Sequence, residues 1–368
     1  MIKITLYLLF CIFSFSFVEA MTNEDFVHWW ESYREKKEIP PELKEMEDYC
    51  ISLNLVNQSS NYWNHLNCYN IQQISLYGYE NFKQTVTRNY FTWVVSLDHP
   101  YAVNLKTEVP KLIEPLPSRE IHKTHPFFGK EASLQYNIIT ERFINYFIKI
   151  GKIDLLCALE EPLIGNPPFV TYKGKRVSQD ICNSLLEFIP ISQHCPLKEI
   201  STVIEIGAGS GRTAFCFLSL LPQIKYIIVD FPPALYVSQT YLSDVFHDKK
   251  IMKFRPFSEF KEIEKEFSEA NIIFLTPDQL SKLPDKSADL FLAIDCLHEM
   301  KPQMIDHYFN EAERTSSYFY FKCWQNTTVP FDGISYSQNS YPVHKNWTEL
   351  FNEPCVVPSG FFHAFYKF

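Results

Sequence analysis

The second half of the chain alternates between short apolar runs and longer stretches in which apolar residues recur at helical spacing. The runs predict strands at about residues 202–206, 225–230, 271–275, 289–295 and 318–322, and a final pair near 355–357 and 360–368. Strands that alternate with helices form a parallel sheet with helices on both faces. The pattern therefore predicts an α/β fold with a sheet of seven strands that ends in a hairpin-like pair.

The first half of the chain has a different pattern and is rich in aromatic residues. Apolar side chains recur at helical spacing, as in Phe26 to Tyr33, and such stripes mostly mark buried helix faces. The proline-bearing segment 109–126 interrupts this pattern and predicts a linker or loop. We expect a mainly helical region over residues 21–196 and a second domain over residues 197–368.

The first twenty residues have the layout of a secretory signal peptide. Lys3 precedes an apolar run, and Val18-Glu19-Ala20 has the small-residue pattern of a cleavage site. Met21 follows directly and offers a second start for translation. Residues 1–20 are thus a signal-like leader, a retained membrane anchor or a segment upstream of the true start, and these alternatives stay open.

Composition and charge narrow the class of protein. Of 368 residues, 46% are hydrophobic and 21% are charged, which indicates a folded chain with a core. The net charge of -9 and the lack of a basic run argue against nucleic acid as the main partner, because phosphate contacts require an excess of Lys and Arg. The cysteines are scattered without a C-x-x-C pair, which is typical of reduced thiols rather than of disulfides or a zinc site.

Three of the ten glycines, Gly207, Gly209 and Gly211, lie within five residues directly after an apolar run. Glycines between a strand and a helix let a ligand approach the backbone closely. The dinucleotide fingerprint requires a third glycine where this chain has Arg212, which disfavours a nicotinamide-dependent oxidoreductase. Glu205 with the three glycines instead forms the E-x-G-x-G-x-G pattern of class I S-adenosylmethionine-dependent methyltransferases.

A carboxylate supports this interpretation. Asp230 follows the second apolar run, at roughly the twenty-residue interval at which a carboxylate meets ribose hydroxyls in nucleotide-binding folds. A tight turn at the glycines and a helix cap at Asp230 are the structural alternatives. The two features together, in strand–helix–strand order, favour a bound cofactor.

Longer stretches of the chain resemble the bacterial family of sugar O-methyltransferases. The similar stretches are residues 226–236, 297–300 and 319–322, with 78–82 and 89–93 upstream. The resemblance spans roughly Asn23 to Phe368. It implies a Rossmann-like class I methyltransferase domain over 197–368, a helical region over 21–196 that caps the acceptor, and methyl transfer from S-adenosyl-L-methionine to a hydroxyl of a sugar or glycan precursor. Residues 293–296 depart from the small polar stretch expected there, which leaves the role of Asp295 open.

The resemblance and the motifs together give a predicted cofactor site. We expect Glu205 and the glycines to hold the methionine part, Asp230 the ribose, and Asp278 or Gln279 the adenine amino group, with Leu235 packed on the ring. The predicted cofactor-binding residues are Glu205, Gly207, Gly209, Gly211, Asp230, Leu235, Asp278, Gln279 and Asp295.

Catalysis is predicted at the fourth strand end. His298 is the candidate base because imidazole titrates near neutral pH. Glu299 is expected to orient His298 or the acceptor hydroxyl; the alternative is that His298 only caps or packs the next helix. His122 and His125 are weaker candidates for a lid. No metal is expected, since the adjacent side chains of Asp295, His298 and Glu299 seldom converge on one ion.

The predicted function is an S-adenosylmethionine-dependent O-methyltransferase with a small-molecule hydroxyl acceptor. A cytoplasmic location is expected because the methyl donor is made and kept in the cytosol. The alternative, motivated by residues 1–20, is an exported binding protein that keeps the fold without catalysis, and a membrane partner is expected only if that segment is retained. The sequence does not predict the oligomeric state.

Overall fold

The computed structural model describes residues 21–86, 96–114 and 129–368 of the chain. The predicted leader 1–20, the aromatic stretch 89–93, and His122 and His125 lie outside the described residues. No helix within the described ranges is long and apolar enough to cross a membrane.

The first half of the chain is helical where it is described. Its first helix, α1 (Asn23–Lys36), begins with a capping box, because Thr22 and Asp25 each accept a hydrogen bond from the other's backbone N–H. Five more helices follow: α2 (Pro41–Ser52), α3 (Asn61–Tyr77), α4 (Val103–Glu108), α5 (Lys130–Lys149) and α6 (Ile153–Cys157). Short 3-10 turns lie at Leu55–Gln58, Tyr79–Asn81 and Pro100–Ala102. The helical prediction is confirmed for these elements.

A hairpin and a helix lead into the sheet. Strands β1 (Val170–Tyr172) and β2 (Lys175–Val177) pair antiparallel around a tight turn, as the sequence predicts. Helix α7 (Gln179–His194) follows, and the side chain of Ser178 caps it by accepting a hydrogen bond from the N–H of Ile181. Helix α7 packs on the helix that follows the glycines.

The central sheet has eight strands. Six are β3 (Thr202–Ile206), β4 (Lys225–Val229), β5 (Ile251–Met252), β6 (Ile272–Leu275), β7 (Leu290–Ile294) and β8 (Tyr318–Trp324). A separate hairpin, β9 (Asn326–Thr328) and β10 (Ser335–Ser337), precedes the last two, β11 (Thr348–Pro354) and β12 (Phe361–Lys367). The strand order is β11-β12-β8-β7-β3-β4-β6-β5, with β12 antiparallel to both neighbours and the other pairs parallel. This is a Rossmann-like α/β sheet.

Two details of the predicted sheet are wrong. The sheet has eight strands rather than seven, because β5 adds two residues at one edge, too few to give a pattern in the sequence. The penultimate strand is Thr348–Pro354 and not 355–357. As the other edge strand, β11 leaves most of its side chains half or fully exposed, so it lacks the apolar run that identifies a buried strand.

Helices cover both faces of the sheet. They are α8 (Arg212–Leu220), α9 (Ala234–Val245), α10 (Glu264–Glu269), α11 (Pro277–Leu280) and α12 (Pro302–Thr315). The apolar core on one face joins side chains of the sheet, such as Tyr226, to Trp30 and Ile71 of the N-terminal helices. The N-terminal helices and the sheet therefore share one core.

The strand order reverses between β3 and β7. From β3 the chain continues to β4, β5 and β6 on one side, whereas β7 and β8 lie on the opposite side of β3. Neighbouring connections that leave in opposite directions open a crevice beyond the carboxyl ends of the strands, and ligands of such sheets bind there.

Candidate functional site

The glycine loop after β3 forms one wall of a cleft at this reversal point. Gly207, Gly209 and Gly211 have φ angles of 63°, 59° and 82°, in the left-handed region that favours glycine. A Cβ on Gly207 would lie 2.5 Å from the Cβ of Cys296, whereas a Cβ on Gly209 would meet no atom within 4 Å. Gly207 is thus required for packing, and the backbone of Gly209 is open to the cleft that it lines.

Asp230 ends β4 and holds the loop from the other side. Its carboxylate accepts hydrogen bonds from the backbone N–H of Gly209, at 2.8 Å, and of Phe231, at 2.7 Å. Burial raises the pKa of Asp230 to about 7, although both hydrogen bonds favour the charged form. A partly buried carboxylate that lines a cleft is an acceptor suited to ligand hydroxyl groups.

Glu205 lies within β3 and also lines the cleft. Its carboxylate accepts a hydrogen bond of 2.8 Å from the hydroxyl of Tyr226. Burial raises the pKa of Glu205 to about 7, against the opposing influence of Tyr226 and Arg212. The charge of this carboxylate therefore changes near neutral pH.

A network of four charged residues lies at the deep end of the cleft. Both Nη atoms of Arg212 donate to Glu187, at 2.6 and 2.9 Å. Lys322 donates to the same Glu187 at 2.9 Å and to Oδ2 of Asp295 at 3.2 Å. Burial alone would raise the pKa of Glu187, but the two cations outweigh it and lower the pKa. The network combines two carboxylates with two cations and is internally neutral.

Asp295 is the carboxylate of this network that lines the cleft, beside Arg212. It follows β7 and has a φ of 57°, which is uncommon outside glycine. Its Oδ2 atom contacts both Arg212 and Lys322, whereas its Oδ1 atom is buried and accepts no hydrogen bond from the described residues. Buried carboxylate oxygens are normally paired, so Oδ1 is an acceptor for a ligand.

The cleft consists of two adjoining cavities that are open to solvent. Both are lined by Trp63, Gly207, Asp230 and Cys296. The first cavity is the more polar of the two and adds Glu205, Arg212, Thr213, Asp295 and Glu299. The second is mostly apolar and adds Phe231, Ala234, Pro277, Met300, Met304 and Tyr308. An elongated ligand with one polar and one flat apolar end would fit this pair.

Helix α3 of the N-terminal region covers the cleft. Trp63 lines both cavities, and Leu66 lines the first. The start of the helix is fixed from the second domain, since Asp332 accepts hydrogen bonds of 3.2 Å from the backbone N–H groups of Asn61 and Tyr62. The spacing of apolar residues in α3 predicts only a buried helix face and does not reveal that Trp63 lines a cavity of the cleft.

Only one residue of the predicted catalytic pair, His298 and Glu299, lines the cleft. Glu299 lines the first cavity, whereas His298 is 3% exposed and does not line either cavity. The Nε2 atom of His298 lies 3.5 Å from a carboxylate oxygen of Glu299. Burial disfavours the imidazolium, but Cys323 and Glu299 outweigh it and raise the pKa of His298 to about 10. His298 is thus placed to orient Glu299 while it is protonated.

Four predicted cofactor residues lie outside the cavities: Gly211, Leu235, Asp278 and Gln279. Leu235 is fully buried in the core of α9, and its neighbour Ala234 lines the second cavity instead. Asp278 accepts hydrogen bonds from Tyr49, Thr276 and Lys282, which occupy its carboxylate. Gln279 is also fully buried and binds backbone groups on both sides. The residue of this segment that reaches the cleft is Pro277, an apolar contact.

The remaining predicted site residues do converge. Glu205, Gly207, Gly209, Asp230 and Asp295 lie around one cleft although they come from three separate strand ends. Gly211 lines neither cavity, and a Cβ there would meet Leu242 and Ser238 of α9 instead. No pattern in the sequence identifies Glu187, which pairs with Arg212, because it is one of several polar residues on the buried face of α7. Within the described residues, no group of three His, Cys, Asp or Glu side chains has the arrangement of a metal site.

No family model matches the chain, and no curated protein sequence matches it. Among solved structures, the mitomycin 7-O-methyltransferase MmcR aligns over 51% of this chain and 56% of its own, with 13% identity and a TM-score of 0.35. A SAM-dependent methyltransferase from Aquifex aeolicus aligns over 50% of this chain and 90% of its own, with 14% identity and a TM-score of 0.32. The pyocyanin biosynthetic protein PhzM aligns over 51% of this chain and 56% of its own, with 11% identity and a TM-score of 0.33. The chain thus aligns with little more than half the length of MmcR and PhzM.

Proposed function

We propose that this protein is an S-adenosylmethionine-dependent methyltransferase that transfers a methyl group to a hydroxyl of a small molecule, a sugar or glycan precursor. The observation that carries the proposal is the meeting of two cavities at Gly207 and Asp230, beyond the strand ends where the sheet order reverses. The elongated cofactor has an apolar adenine, a central ribose and a polar methionine end, which suits this pair of cavities.

The residues present fit each part of the cofactor. The apolar second cavity, with Phe231 and Pro277, suits the adenine. Asp230 suits the ribose hydroxyls because each carboxylate oxygen can accept a further hydrogen bond beside the one from Gly209 or Phe231. The Oδ1 atom of Asp295, which accepts no hydrogen bond from the described residues, suits the ammonium group of the methionine end. Gly209 leaves the room that a side chain would fill.

The chemistry follows from these positions. When bound, S-adenosylmethionine supplies an electrophilic methyl group on a sulfonium sulfur. The protein has to hold the acceptor oxygen in line with this methyl group and to exclude competing water. Four described carboxylates line the cleft. Asp295 belongs to the four-residue network, and Glu205 and Asp230 are set aside as parts of the cofactor site. Glu299 is therefore the carboxylate left to accept the hydroxyl proton. His298 then acts as a positioning residue for Glu299.

The nature of the acceptor rests on the family resemblance and on the polar lining of the first cavity. Carboxylates such as Glu299 are acceptors for the hydroxyl hydrogens of a polyol. Because the cofactor is a cytosolic metabolite, we also infer a cytoplasmic location for the functional enzyme.

Calorimetry with S-adenosylhomocysteine tests the proposed cofactor site. We expect binding to wild type with a Kd in the micromolar range, weakened at least about tenfold by Asp230→Asn, which loses the charge that accepts from the ribose. Asp248→Asn is the matched control, since Asp248 is an exposed carboxylate away from the cleft. No binding to wild type, or equal binding to both variants, would overturn the assignment.

A second assay tests the acceptor. The protein is incubated with S-adenosylmethionine and each member of a panel of monosaccharides and nucleotide-free sugar glycosides, and release of S-adenosylhomocysteine is measured. A sugar that supports turnover in wild type but not in Glu299→Gln supports the proposed reaction. Turnover with phenols or amines alone would contradict the sugar assignment and keep the methyltransferase assignment.

A further inference from the structure

The charges that face the cleft are unequal. Four carboxylates line the two cavities, from Glu205, Asp230, Asp295 and Glu299. Of the described residues that line them, Arg212 is the only one with a cationic side chain. The net charge of the cleft depends on which of these charged side chains already pair with an opposite charge.

The charge of Arg212 is already matched within its own network, although Arg212 also acts to lower the pKa of Glu205. Its two Nη atoms donate to Glu187 and contact Asp295, and the same two carboxylates also hold Lys322. The positive charges of Arg212 and Lys322 therefore cancel the negative charges of Glu187 and Asp295, and no net positive charge remains. Protonated His298 similarly balances Glu299, whose oxygen lies 3.5 Å from Nε2.

Glu205 and Asp230 remain without a cationic partner among the described residues. Glu205 accepts from the hydroxyl of Tyr226, and Asp230 accepts from two backbone N–H groups, all of which are neutral donors. Glu205 is buried and Asp230 is partly buried at the cleft wall, where Coulomb interactions are stronger than in water. Above neutral pH the cleft thus carries two unbalanced negative charges.

We propose that these two charges make the cleft bind the cationic methyl donor more tightly than its demethylated product, an inference that rests on the proposed function. S-adenosylmethionine carries a net positive charge, whereas S-adenosylhomocysteine has lost the sulfonium and is neutral overall. At an effective dielectric constant of about 20, one unit charge a few ångströms from an unbalanced carboxylate changes affinity by at least about tenfold. Methyl transfer itself would then weaken the hold on the spent cofactor and promote its release.

Calorimetry at pH 8.5 and low salt tests this inference with three ligands. S-adenosylmethionine and sinefungin, which carries an amine cation in place of the sulfonium, are expected to bind at least about tenfold more tightly than S-adenosylhomocysteine. The ratio should fall toward one at pH 6, where Glu205 and Asp230 become protonated. Equal affinities at pH 8.5, or tighter binding of S-adenosylhomocysteine, would overturn the inference.

A variant and a control separate the cause from other effects. Glu205→Gln should lower the ratio of the two affinities several-fold while the neutral ligand still binds, whereas Asp248→Asn should leave the ratio unchanged. If Glu205→Gln does not fold, the pH dependence of the wild-type ratio decides alone. Failure of all three ligands to bind would instead contradict the proposed function, so the two failures are distinguishable.

Discussion

The carboxylate of Asp230 accepts a hydrogen bond of 2.8 Å from the backbone N–H of Gly209, so the end of β4 fixes the conformation of the glycine loop after β3. The two residues are 21 positions apart in the chain. The loop is therefore held by the same side chain that we assign to the ribose. Substitution of this carboxylate is expected to affect both binding and the stability of the empty protein.

The stability of the protein should depend on pH through Asp230. Burial raises its pKa to about 7 in the folded chain, so the folded protein keeps a proton that the unfolded chain releases above about pH 4. The stability from this group is therefore full below about pH 4 and is lost as the pH rises through 7. Between pH 5 and pH 8, wild type should lose ~2.5 kcal/mol more unfolding free energy than Asp230→Asn. Urea denaturation at both pH values measures this, and parallel losses would contradict it.

Gly207 and Gly209 should respond differently to alanine. Both have a positive φ, so each substitution costs ~1–2 kcal/mol of backbone strain. Gly207→Ala also overlaps the Cβ of Cys296 and should lose at least ~2 kcal/mol more. Gly209→Ala should stay near the strain cost and weaken S-adenosylhomocysteine binding, because its methyl group enters the cleft. Thermal denaturation and calorimetry on both variants separate the effects; equal stabilities would refute the packing assignment.

Glu187 should be far more important for stability than an exposed glutamate. Glu187→Gln leaves the buried Arg212 and Lys322 with Asp295 alone of the two carboxylates that they share, which should cost ~3–5 kcal/mol of unfolding free energy. The matched control is Glu160→Gln, because Glu160 pairs with Arg176 at 2.9 Å while 38% exposed, and its loss should cost less than ~1 kcal/mol. The two free energies come from urea denaturation. Similar losses in the two variants would show that the network does not stabilise the fold.

The roles of Glu299 and His298 can be separated by kinetics. Glu299→Gln removes the carboxylate that lines the cavity and should lower kcat ~100-fold with little change in cofactor affinity. His298→Asn removes only the partner behind it and should lower kcat ~10-fold or less. Release of S-adenosylhomocysteine with saturating S-adenosylmethionine measures both. A larger loss in His298→Asn would favour His298 as the base, as the sequence suggests.

Local signals in the sequence predict one wall of the cleft. The glycines and Asp230 could be assigned because each follows an apolar run directly, and parallel strand ends meet at one edge of the sheet. Glu187 and Trp63 could not be assigned, since they come from helices far away in the chain and helical spacing does not reveal what a buried face contacts. Asp278 and Gln279 lie at the predicted strand end, but neighbouring groups already occupy their polar atoms.

Trp63 of α3 lines both cavities of the cleft, and this has a consequence for how the protein can be divided. Residues 197–368 contain the whole central sheet but lack one wall of the pocket that the sheet exposes. The two regions are therefore not interchangeable modules: a chimaera that grafts a foreign N-terminal region onto this sheet would have to rebuild the wall that Trp63 gives to the cleft.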